Sequence, residues 1–533
     1  MPHEQAPREQ IPAAIKIRHT PREPETRSDV GVSVSVEGSG RSLHRLVTVG
    51  DSLTHGFQSG AIFNTDISYP AIIAWELGWC ARFRHPQYPA FGGIPFNVEL
   101  HLRELEARFG DDLALWELPG AAFQLHQRLA EAEDWWDNGP GSKLPPRGPI
   151  NHNLGVYGWD LRDALSRNAD NAHEGLRTPD GHHIVPLVRN ADQISAGRVL
   201  DSARTPGGLP MTPLEAAAAL SREGTIETPG EGDGIETLIV ALGANNALGS
   251  VLGLAVHWSG PGYDNLQQKA RYNVWQPEHF AAEWARVIER VRDIRARHVV
   301  FATVPHVTIA PVARGVGGKL EKGSRYFRFY TRPWVADADF DPADDPHLTG
   351  EEARAIDSVI DDYNDTIVAS VKAAREAGRD WRVLDLAGLL DRLASRRYLE
   401  DKDVTLPPWW TPYVLPDALR KLKPPPDSHF FSSGPGGMVA GGLFSLDGIH
   451  PTTVAYGLMA QEFMRVMEDA GVEFMRGDGV TPRPPGVDVD WDRLIGKDSL
   501  ISNPPRSLDS DIKLIGWLDE RIDILKRLWG GAA

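Results

Sequence analysis

The sequence lacks several features that would place it in common classes of protein. A single cysteine, Cys80, excludes an internal disulfide. Lysine and arginine number 56 against 73 acidic residues, which gives a formal net charge of −17, so the basic surface that nucleic-acid binding requires is missing. No run approaches the roughly 18 apolar residues of a membrane span. We therefore expect no nucleic-acid partner and no integral membrane segment.

The first 28 residues lack the apolar core of a secretory signal. Proline, glutamate, glutamine and arginine occur throughout this segment. We therefore expect residues 1–28 to form a disordered lead-in. Together with the absence of disulfides this favours a cytoplasmic location, and secretion stays open as the alternative.

Signatures of cofactors and metals are also missing. No Gly-x-Gly-x-x-Gly follows a strand, which argues against a dinucleotide-dependent dehydrogenase. The histidines lack the His-x-x-x-His spacing and the acidic clusters of metal-dependent hydrolases. We expect neither a cofactor nor a metal ion.

The most informative segment that is present is GDSL at residues 50–53, directly after the apolar run Leu46–Val49. A short β-branched run that breaks at glycine predicts a buried strand ending in a tight turn. Open α/β sheets place their ligand sites at the carboxyl ends of such strands. The turn therefore presents Ser52 as a candidate nucleophile. The alternative is that Asp51 or Ser52 only caps a following helix.

A candidate base lies near the other end of the chain, in DGIHP at residues 447–451. A serine hydroxyl needs an adjacent base, usually histidine, and that histidine needs its other ring nitrogen hydrogen-bonded. Asp447 lies three residues before His450, so its carboxylate can reach the imidazole over a short tether. We predict that Ser52, His450 and Asp447 form a catalytic triad.

Two further blocks lie between these segments, in a fixed order. Gly158 stands in NLGVYGWD at residues 153–160, and Asn245 stands in LGANN at residues 242–246. The order GDSL, Gly, Gly-x-Asn, Asp-x-x-His-Pro resembles the SGNH hydrolase superfamily, also called GDSL-type esterases and lipases. The resemblance is carried by four short blocks between about residues 46 and 471.

The resemblance also implies an oxyanion hole, in which preorganised donors stabilise a tetrahedral intermediate. It assigns this role to the backbone N–H groups of Ser52 and Gly158 and to the side-chain amide of Asn245. Gly155 and Asn246 are the alternatives at the second and third positions.

The arrangement of apolar runs predicts an α/β fold. Strands alternate with amphipathic helices, which is typical of a parallel sheet with helices on both faces. We expect a flavodoxin-like three-layer α/β/α sandwich with a mostly parallel sheet of about five strands, the fold that the SGNH resemblance also implies. The predicted strands are 46–49, 237–242, 298–304 and 381–386, with a short one near Val156, and a separate half-buried strand at 30–36. The predicted helices include 69–77, 278–297, 350–377 and 452–470.

Long stretches separate the four blocks, so we expect one catalytic domain with large insertions. The domain spans 29–475, with insertions near 81–149, 167–231, 315–348 and 387–444. Residues 476–533 form a C-terminal extension whose apolar positions from Ile515 to Trp529 recur at 3-4-3-4 spacing. That pattern predicts an amphipathic helix packed on the body of the chain, or alternatively a dimer contact.

The insertion before DGIHP contains Trp409, Trp410 and Tyr413, and then a glycine-rich run at 434–442. Aromatic side chains beside a glycine-rich hinge predict a lid over an apolar acyl pocket. The alternative is that the aromatic residues only pack the loop.

These expectations converge on a serine hydrolase that cleaves small-molecule or lipid carboxylic esters through an acyl-enzyme. Two alternatives stay open. The first is an acyltransferase that uses the same Ser52 and His450 pair, with an alcohol in place of water. The second is a non-catalytic binding protein that retains the fold.

Overall fold

The computed structural model describes residues 8–36, 40–110, 118–176, 188 and 190–506. The strands of these residues are β1 (His44–Gly50), β2 (Phe57–Gln58), β3 (Ala61–Ile62), β4 (Ile94–Pro95), β5 (Ile235–Ala241), β6 (Ala296–Ala302), β7 (Arg314–Lys319), β8 (Phe327–Thr331), β9 (Leu348–Thr349), β10 (Trp381–Leu384), β11 (Ser432–Gly434) and β12 (Gly437–Ala440). The helices are α1 (Ser52–His55), α2 (Tyr69–Glu76), α3 (Val98–Phe109), α4 (Leu118–Glu133), α5 (Leu161–Ser166), α6 (Ala169–Glu174), α7 (Ala191–Leu200), α8 (Pro213–Ser221), α9 (Asn245–Gly253), α10 (Pro277–Arg292), α11 (Gly350–Glu376), α12 (Leu386–Asp391), α13 (Asp417–Arg420), α14 (Thr453–Asp469), α15 (Trp491–Lys497) and α16 (Ser499–Ser502).

Within the described residues, four strands form a parallel sheet in the order β1–β5–β6–β10. Leu238 lies beside Val299, and Val299 lies beside Trp381. The strands are buried on both faces, as the continuous apolar runs of a parallel sheet require. The α/β class and the four main predicted strands are confirmed, with ends that differ by at most two residues.

The fifth strand that we expected near Val156 does not form as a strand. Residues 152–156 instead run beside β1, with an isolated parallel bridge between Thr48 and Asn153. The Leu154 N–H donates to the Thr48 carbonyl at 2.8 Å, and the Val156 N–H donates to the Gly50 carbonyl at 3.1 Å. This pairing brings the segment that leads to residue 158 alongside the turn after β1.

The strand predicted at residues 30–36 is wrong, because a turn interrupts the alternating pattern. Val30 and Gly31 have φ angles of 45° and 78°, outside the extended region. The N–H groups of Val30 and Val32 close the turn on the carbonyls of Arg27 and Asp29, each at 2.9 Å. Side-chain alternation alone could not reveal these backbone angles.

The N-terminal segment differs from the expected lead-in over residues 8–28. Ile15 is buried in the main apolar core. The Arg18 N–H donates to the Ser358 hydroxyl at 2.9 Å, and the Arg22 guanidinium contacts the Asp385 carboxylate at 2.9 Å. Arginines were one reason to expect a disordered segment. In the structure, Arg18 and Arg22 instead bind acidic side chains elsewhere in the chain.

The predicted helices are confirmed, with one shifted end. Thr349 and Glu352 form the capping box that starts α11, and the Thr452 hydroxyl accepts the Ala455 N–H at the start of α14. The helix predicted at 278–297 ends at Arg292, because β6 begins at Ala296.

The predicted insertions carry much of the remaining secondary structure. The first contains α3 and α4, the second contains α6, α7 and α8, and the third contributes to the antiparallel sheet β7–β8–β9. The fourth contains α13 and the hairpin of β11 and β12. The C-terminal helix predicted from Ile515 to Trp529 lies outside the described residues. Among the described helices, none is long and apolar enough to cross a membrane.

Candidate active site

Ser52 lies at the turn between β1 and α1, at the carboxyl end of the edge strand of the parallel sheet. The Asp51 carboxylate caps α1 by accepting the Leu53 N–H at 3.0 Å. Asp51, and not Ser52, is therefore the residue that caps the helix. The Ser52 hydroxyl can form a hydrogen bond with another partner. Gly50 suits the turn because a β-carbon there would collide with the Thr54 side chain.

The structure brings the three residues predicted as a triad into one hydrogen-bonded chain. His450 Nε2 lies 2.9 Å from Ser52 Oγ, and His450 Nδ1 lies 3.0 Å from Asp447 Oδ2. A carboxylate only accepts, so Nδ1 carries the proton and Nε2 is left to accept the serine O–H. Their exposed fractions are 4 %, 1 % and 3 % for Ser52, His450 and Asp447. This arrangement can deprotonate the serine as it attacks an electrophile.

Asp447 is held as an anion in spite of its burial. Burial alone would raise its pKa, but the adjacent His450 and hydrogen bonds from His450 and Gly60 hold the pKa of Asp447 below its usual value. Oδ1 accepts the N–H groups of Ile449 and His450, each at 2.8 Å, and Oδ2 accepts the Gly60 N–H at 2.9 Å. The short segment from Asp447 to His450 therefore orients the carboxylate and also brings it close to the imidazole.

Packing also fixes the imidazole. The ring of Phe57, in β2, lies against the His450 ring with centroids 4.4 Å apart. The His450 carbonyl accepts the Ser445 N–H at 2.7 Å. Phe57 is fully buried, so the ring of His450 has little room to turn away from Ser52.

Gly158 and Gly155 have separate roles in the segment beside β1. A β-carbon at Gly155 would lie 2.8 Å from the His55 backbone nitrogen, so this glycine allows close packing against α1. Gly158 has a φ of 74°, is exposed, and has no heavy atom within 4 Å of a built β-carbon. Among the described residues, the N–H groups of Ser52 and Gly158 have no hydrogen-bond acceptor. Both are available to a bound oxyanion.

Asn245 rather than Asn246 faces this segment. The Asn245 amide donates to the Trp159 carbonyl at 2.9 Å, next to Gly158, and the side chain is only partly buried. An amide NH₂ has two donors, so one N–H can serve a ligand. Asn246 is fully buried, and its amide oxygen accepts the Leu161 N–H at 3.4 Å. Its role is to hold the start of α5.

An apolar pocket of about 120 Å³ begins at Ser52 and His450. The polar side chains in its wall are few and include His306, whose two ring nitrogens contact Asp391 at 2.9 Å and Asp361 at 3.1 Å. These carboxylates outweigh the effect of burial and raise the pKa of His306 well above its usual value. The wall is formed by Leu53, Ala244, Leu248, Pro305, Val307, Ala310, Leu386, Leu389, Leu390, Leu393, Leu443, Phe444, Ile449, Pro451, Ala455, Leu458 and Met459.

The residues predicted as a lid do not line this pocket. The Trp410 ring packs against Tyr398, with centroids 5.6 Å apart, in a separate apolar cluster. The Tyr413 hydroxyl donates to the Glu462 carboxylate at 2.6 Å. Trp409, Trp410 and Tyr413 are all absent from the pocket wall, and Trp410 and Tyr413 have the partners named above.

Sequence reasoning missed the leucines of α12 and of the turn after it, which line the pocket. Residues 386, 389, 390 and 393 are all leucine and recur at the i, i+3, i+4, i+7 spacing of an apolar helix face. That spacing is the signal in the sequence by which these leucines could have been found. It predicts a buried helix face without revealing that the face lines a ligand pocket.

No protein-family model matches the chain, and neither curated proteins nor solved structures give a significant match. Within the described ranges, no group of three or more histidine, cysteine or acidic side chains is arranged to hold a metal ion.

Proposed function

We propose that the chain is a serine ester hydrolase of the SGNH type, which cleaves carboxylic esters through an acyl-enzyme on Ser52. The observation that carries the proposal is the hydrogen-bonded chain from Ser52 Oγ through His450 to Asp447. A structural serine needs no such chain, and the buried carboxylate behind the imidazole favours a catalytic pair over a non-catalytic binding site.

The reaction follows from the roles that these groups can take. Ser52 Oγ attacks the ester carbonyl while His450 Nε2 accepts the hydroxyl proton, and Asp447 stabilises the imidazolium. The N–H groups of Ser52 and Gly158 and the amide of Asn245 donate to the developing oxyanion. Collapse of the intermediate releases the alcohol, which takes the proton from His450. A water molecule, deprotonated by His450, then attacks the acyl-enzyme and releases the acid.

The proposed fold is a flavodoxin-like sandwich built around the four-stranded parallel sheet. Helices α2 and α8 pack on β1, at one edge of the sheet, and α11 and α14 pack on β10 at the other. Alternation of parallel strands with such helices supports the three-layer arrangement. Ser52 then lies at the carboxyl end of a strand, where ligands bind in open α/β sheets.

The pocket supports an apolar acyl group of short to medium length. Its volume of about 120 Å³ is similar to that of apolar cavities of about 150 Å³ that hold a benzene ring. We therefore propose esters of acids with about four to eight carbons as preferred substrates. The acid side of the ester is proposed to occupy this pocket, whose wall includes Ser52 and His450.

The test is a hydrolysis screen with p-nitrophenyl esters from acetate to palmitate, with Ser52→Ala as the blank. We expect the highest kcat/KM for the medium chains. Hydrolysis no faster than the blank for every ester would contradict the proposal. Consumption of ester only when an alcohol is added would assign the same site to acyl transfer.

A further inference from the structure

His55 connects the nucleophile helix to the segment that carries Gly158. It is the last residue of α1, three positions after Ser52, and its side chain is fully buried. Its Nδ1 accepts the Tyr157 N–H at 3.3 Å, and its Nε2 lies 2.8 Å from the Tyr88 hydroxyl. One imidazole therefore joins α1 to the backbone immediately before Gly158.

The two contacts determine the charge and tautomer of this imidazole. A backbone N–H can only donate, so Nδ1 must be unprotonated and the proton lies on Nε2, facing Tyr88. Burial, with a smaller contribution from His85, lowers the pKa of His55 to about 3. The ring therefore stays neutral across the working range of an esterase, and the acceptor for Tyr157 is permanent.

The packing around the hydrogen bond between His55 and the Tyr157 N–H allows that bond to influence the position of Gly158. Gly155 lies directly against α1, where a β-carbon would be 2.8 Å from the His55 nitrogen. Tyr157 is buried, with its ring 5.2 Å from that of Phe57. Gly158, by contrast, is exposed, and no heavy atom lies within 4 Å of a β-carbon built on it. It is held through its two chain neighbours, because His55 accepts the Tyr157 N–H on one side and Asn245 donates to the Trp159 carbonyl on the other.

We propose that His55 is a positioning residue that sets the Gly158 N–H relative to the Ser52 hydroxyl. The proposal rests on the ester hydrolase function assigned to Ser52. His55 does not touch the substrate. It acts through the Tyr157 backbone, and displacement of a preorganised donor by a fraction of an ångström lowers the stabilisation of the oxyanion.

A pair of amide variants separates this role from simple filling of space. The oxygen of asparagine branches from the same carbon as Nδ1 of histidine, so His55→Asn retains an acceptor for the Tyr157 N–H. His55→Gln places its amide one bond further out, near the Nε2 position, and loses that acceptor. Both variants bury a neutral amide, so they form a matched pair for stability.

We expect kcat for p-nitrophenyl butyrate to be about 10-fold lower in His55→Gln than in His55→Asn, with KM changed by less than about 2-fold. The inhibition constant of an aliphatic trifluoromethyl ketone, which forms an oxyanion on Ser52, should rise in His55→Gln by the same factor. Equal kcat values in the two variants would overturn the proposal.

Two controls keep the outcome interpretable. If neither amide variant folds, Tyr88→Phe serves instead: it removes one of the two hydrogen bonds that orient the His55 ring, so kcat should fall by about 3-fold, and an unchanged kcat would overturn the proposal. Ser52→Ala tests the ester hydrolase function separately. If Ser52→Ala is inactive while the two amide variants are equal, only the role of His55 fails.

Discussion

The proposed catalytic centre and the wall of the apolar pocket are adjacent, yet they are built in different ways. The centre depends on Ser52, Asp447 and His450, which are specific residue types that form directed hydrogen bonds. The pocket wall consists of apolar side chains from several helices and loops. A wall needs apolar volume and tolerates exchange among apolar residues of similar size, whereas a hydrogen-bonded chain fails when one member is lost.

We therefore expect two kinds of change in the kinetics after substitution. Changes at the centre should lower kcat for every ester. Changes in the wall should alter the relative rates for short and long acyl groups and leave the chemistry intact.

The largest effect is expected from loss of the nucleophile or the base. Ser52→Ala and His450→Ala should each lower kcat by at least about 10⁴-fold, and the double variant should be little worse than either single variant, because the residues act as one unit. Steady-state kinetics with circular dichroism spectra as the folding control measure this. Turnover by Ser52→Ala at more than about one per cent of the parent would end the assignment.

Asp447→Asn should lower kcat by about 10²–10⁴-fold, because an amide permits the wrong imidazole tautomer. Asparagine has the same shape, but Oδ1 accepts the Ile449 N–H and Oδ2 accepts the Gly60 N–H, so its amide can accept at only one of the two positions. The kinetics should show this loss in kcat with little change in KM. A decrease of less than about 5-fold would mean that packing alone orients His450.

Asn245→Ala should lower kcat by about 10²–10³-fold through the loss of one oxyanion donor. Asn246→Ala is the matched comparison, since Asn246 is fully buried and holds α5. It should reduce thermal stability and leave kcat within about 3-fold of the parent at a temperature where it is folded. The reverse ranking of the two variants in kcat would show that the wrong asparagine has been assigned.

A change in the pocket wall should be smaller and selective. Ala455 lies in the wall, so Ala455→Leu should exclude about two methylenes and lower kcat/KM for octanoate about 10-fold more than for acetate. Trp410→Ala is the control from the region predicted as a lid, and it should affect both esters equally. A chain-length effect of Trp410→Ala that exceeds that of Ala455→Leu would restore the lid hypothesis.

A different kind of effect concerns stability and its dependence on pH. Burial raises the pKa of Asp51 from 3.8 to about 6, so its contribution to stability is present below about pH 4 and is lost as the pH rises through 6. Asp51→Asn retains an acceptor for the Leu53 N–H and removes this titration. Its free energy of unfolding relative to the parent should therefore rise by about 2–3 kcal/mol between pH 4 and pH 7.

Urea unfolding at several pH values measures this difference. A constant difference across that range would show that Asp51 does not titrate there. Because the carboxylate is buried beside His450, stability gained in this way should cost activity.

The hydrogen-bonded chain of Ser52, His450 and Asp447 was more predictable from the sequence than the pocket. Ser52 follows a strand whose β-branched run and terminal glycine are local signals, and His450 is tied to Asp447 by three residues. Gly158 and Asn245 came from the order of blocks, and the structure separates them from Gly155 and Asn246 by burial and φ. The association of Ser52, His450 and Asp447 could be predicted because directed hydrogen bonds restrict the types of residue that form them, and the oxyanion roles of Gly158 and Asn245 stay predictions.

The errors have a different physical origin. The turn at Val30 and Gly31 depends on backbone angles that alternating side chains do not reveal. Trp410 and Tyr413 have partners outside the set of residues predicted as a lid, in Tyr398 and Glu462, which composition could not show. The leucines of α12 could be predicted as a helix face, but which apolar face meets Ser52 depends on tertiary packing.

The most direct test of the central claim is covalent labelling of the intact protein with a fluorophosphonate, followed by mass spectrometry and peptide mapping. We expect one adduct per chain, located on Ser52, and no adduct in His450→Ala under the same conditions. An adduct on another residue, or an unlabelled parent protein, would contradict the claim that Ser52 is a nucleophile activated by His450.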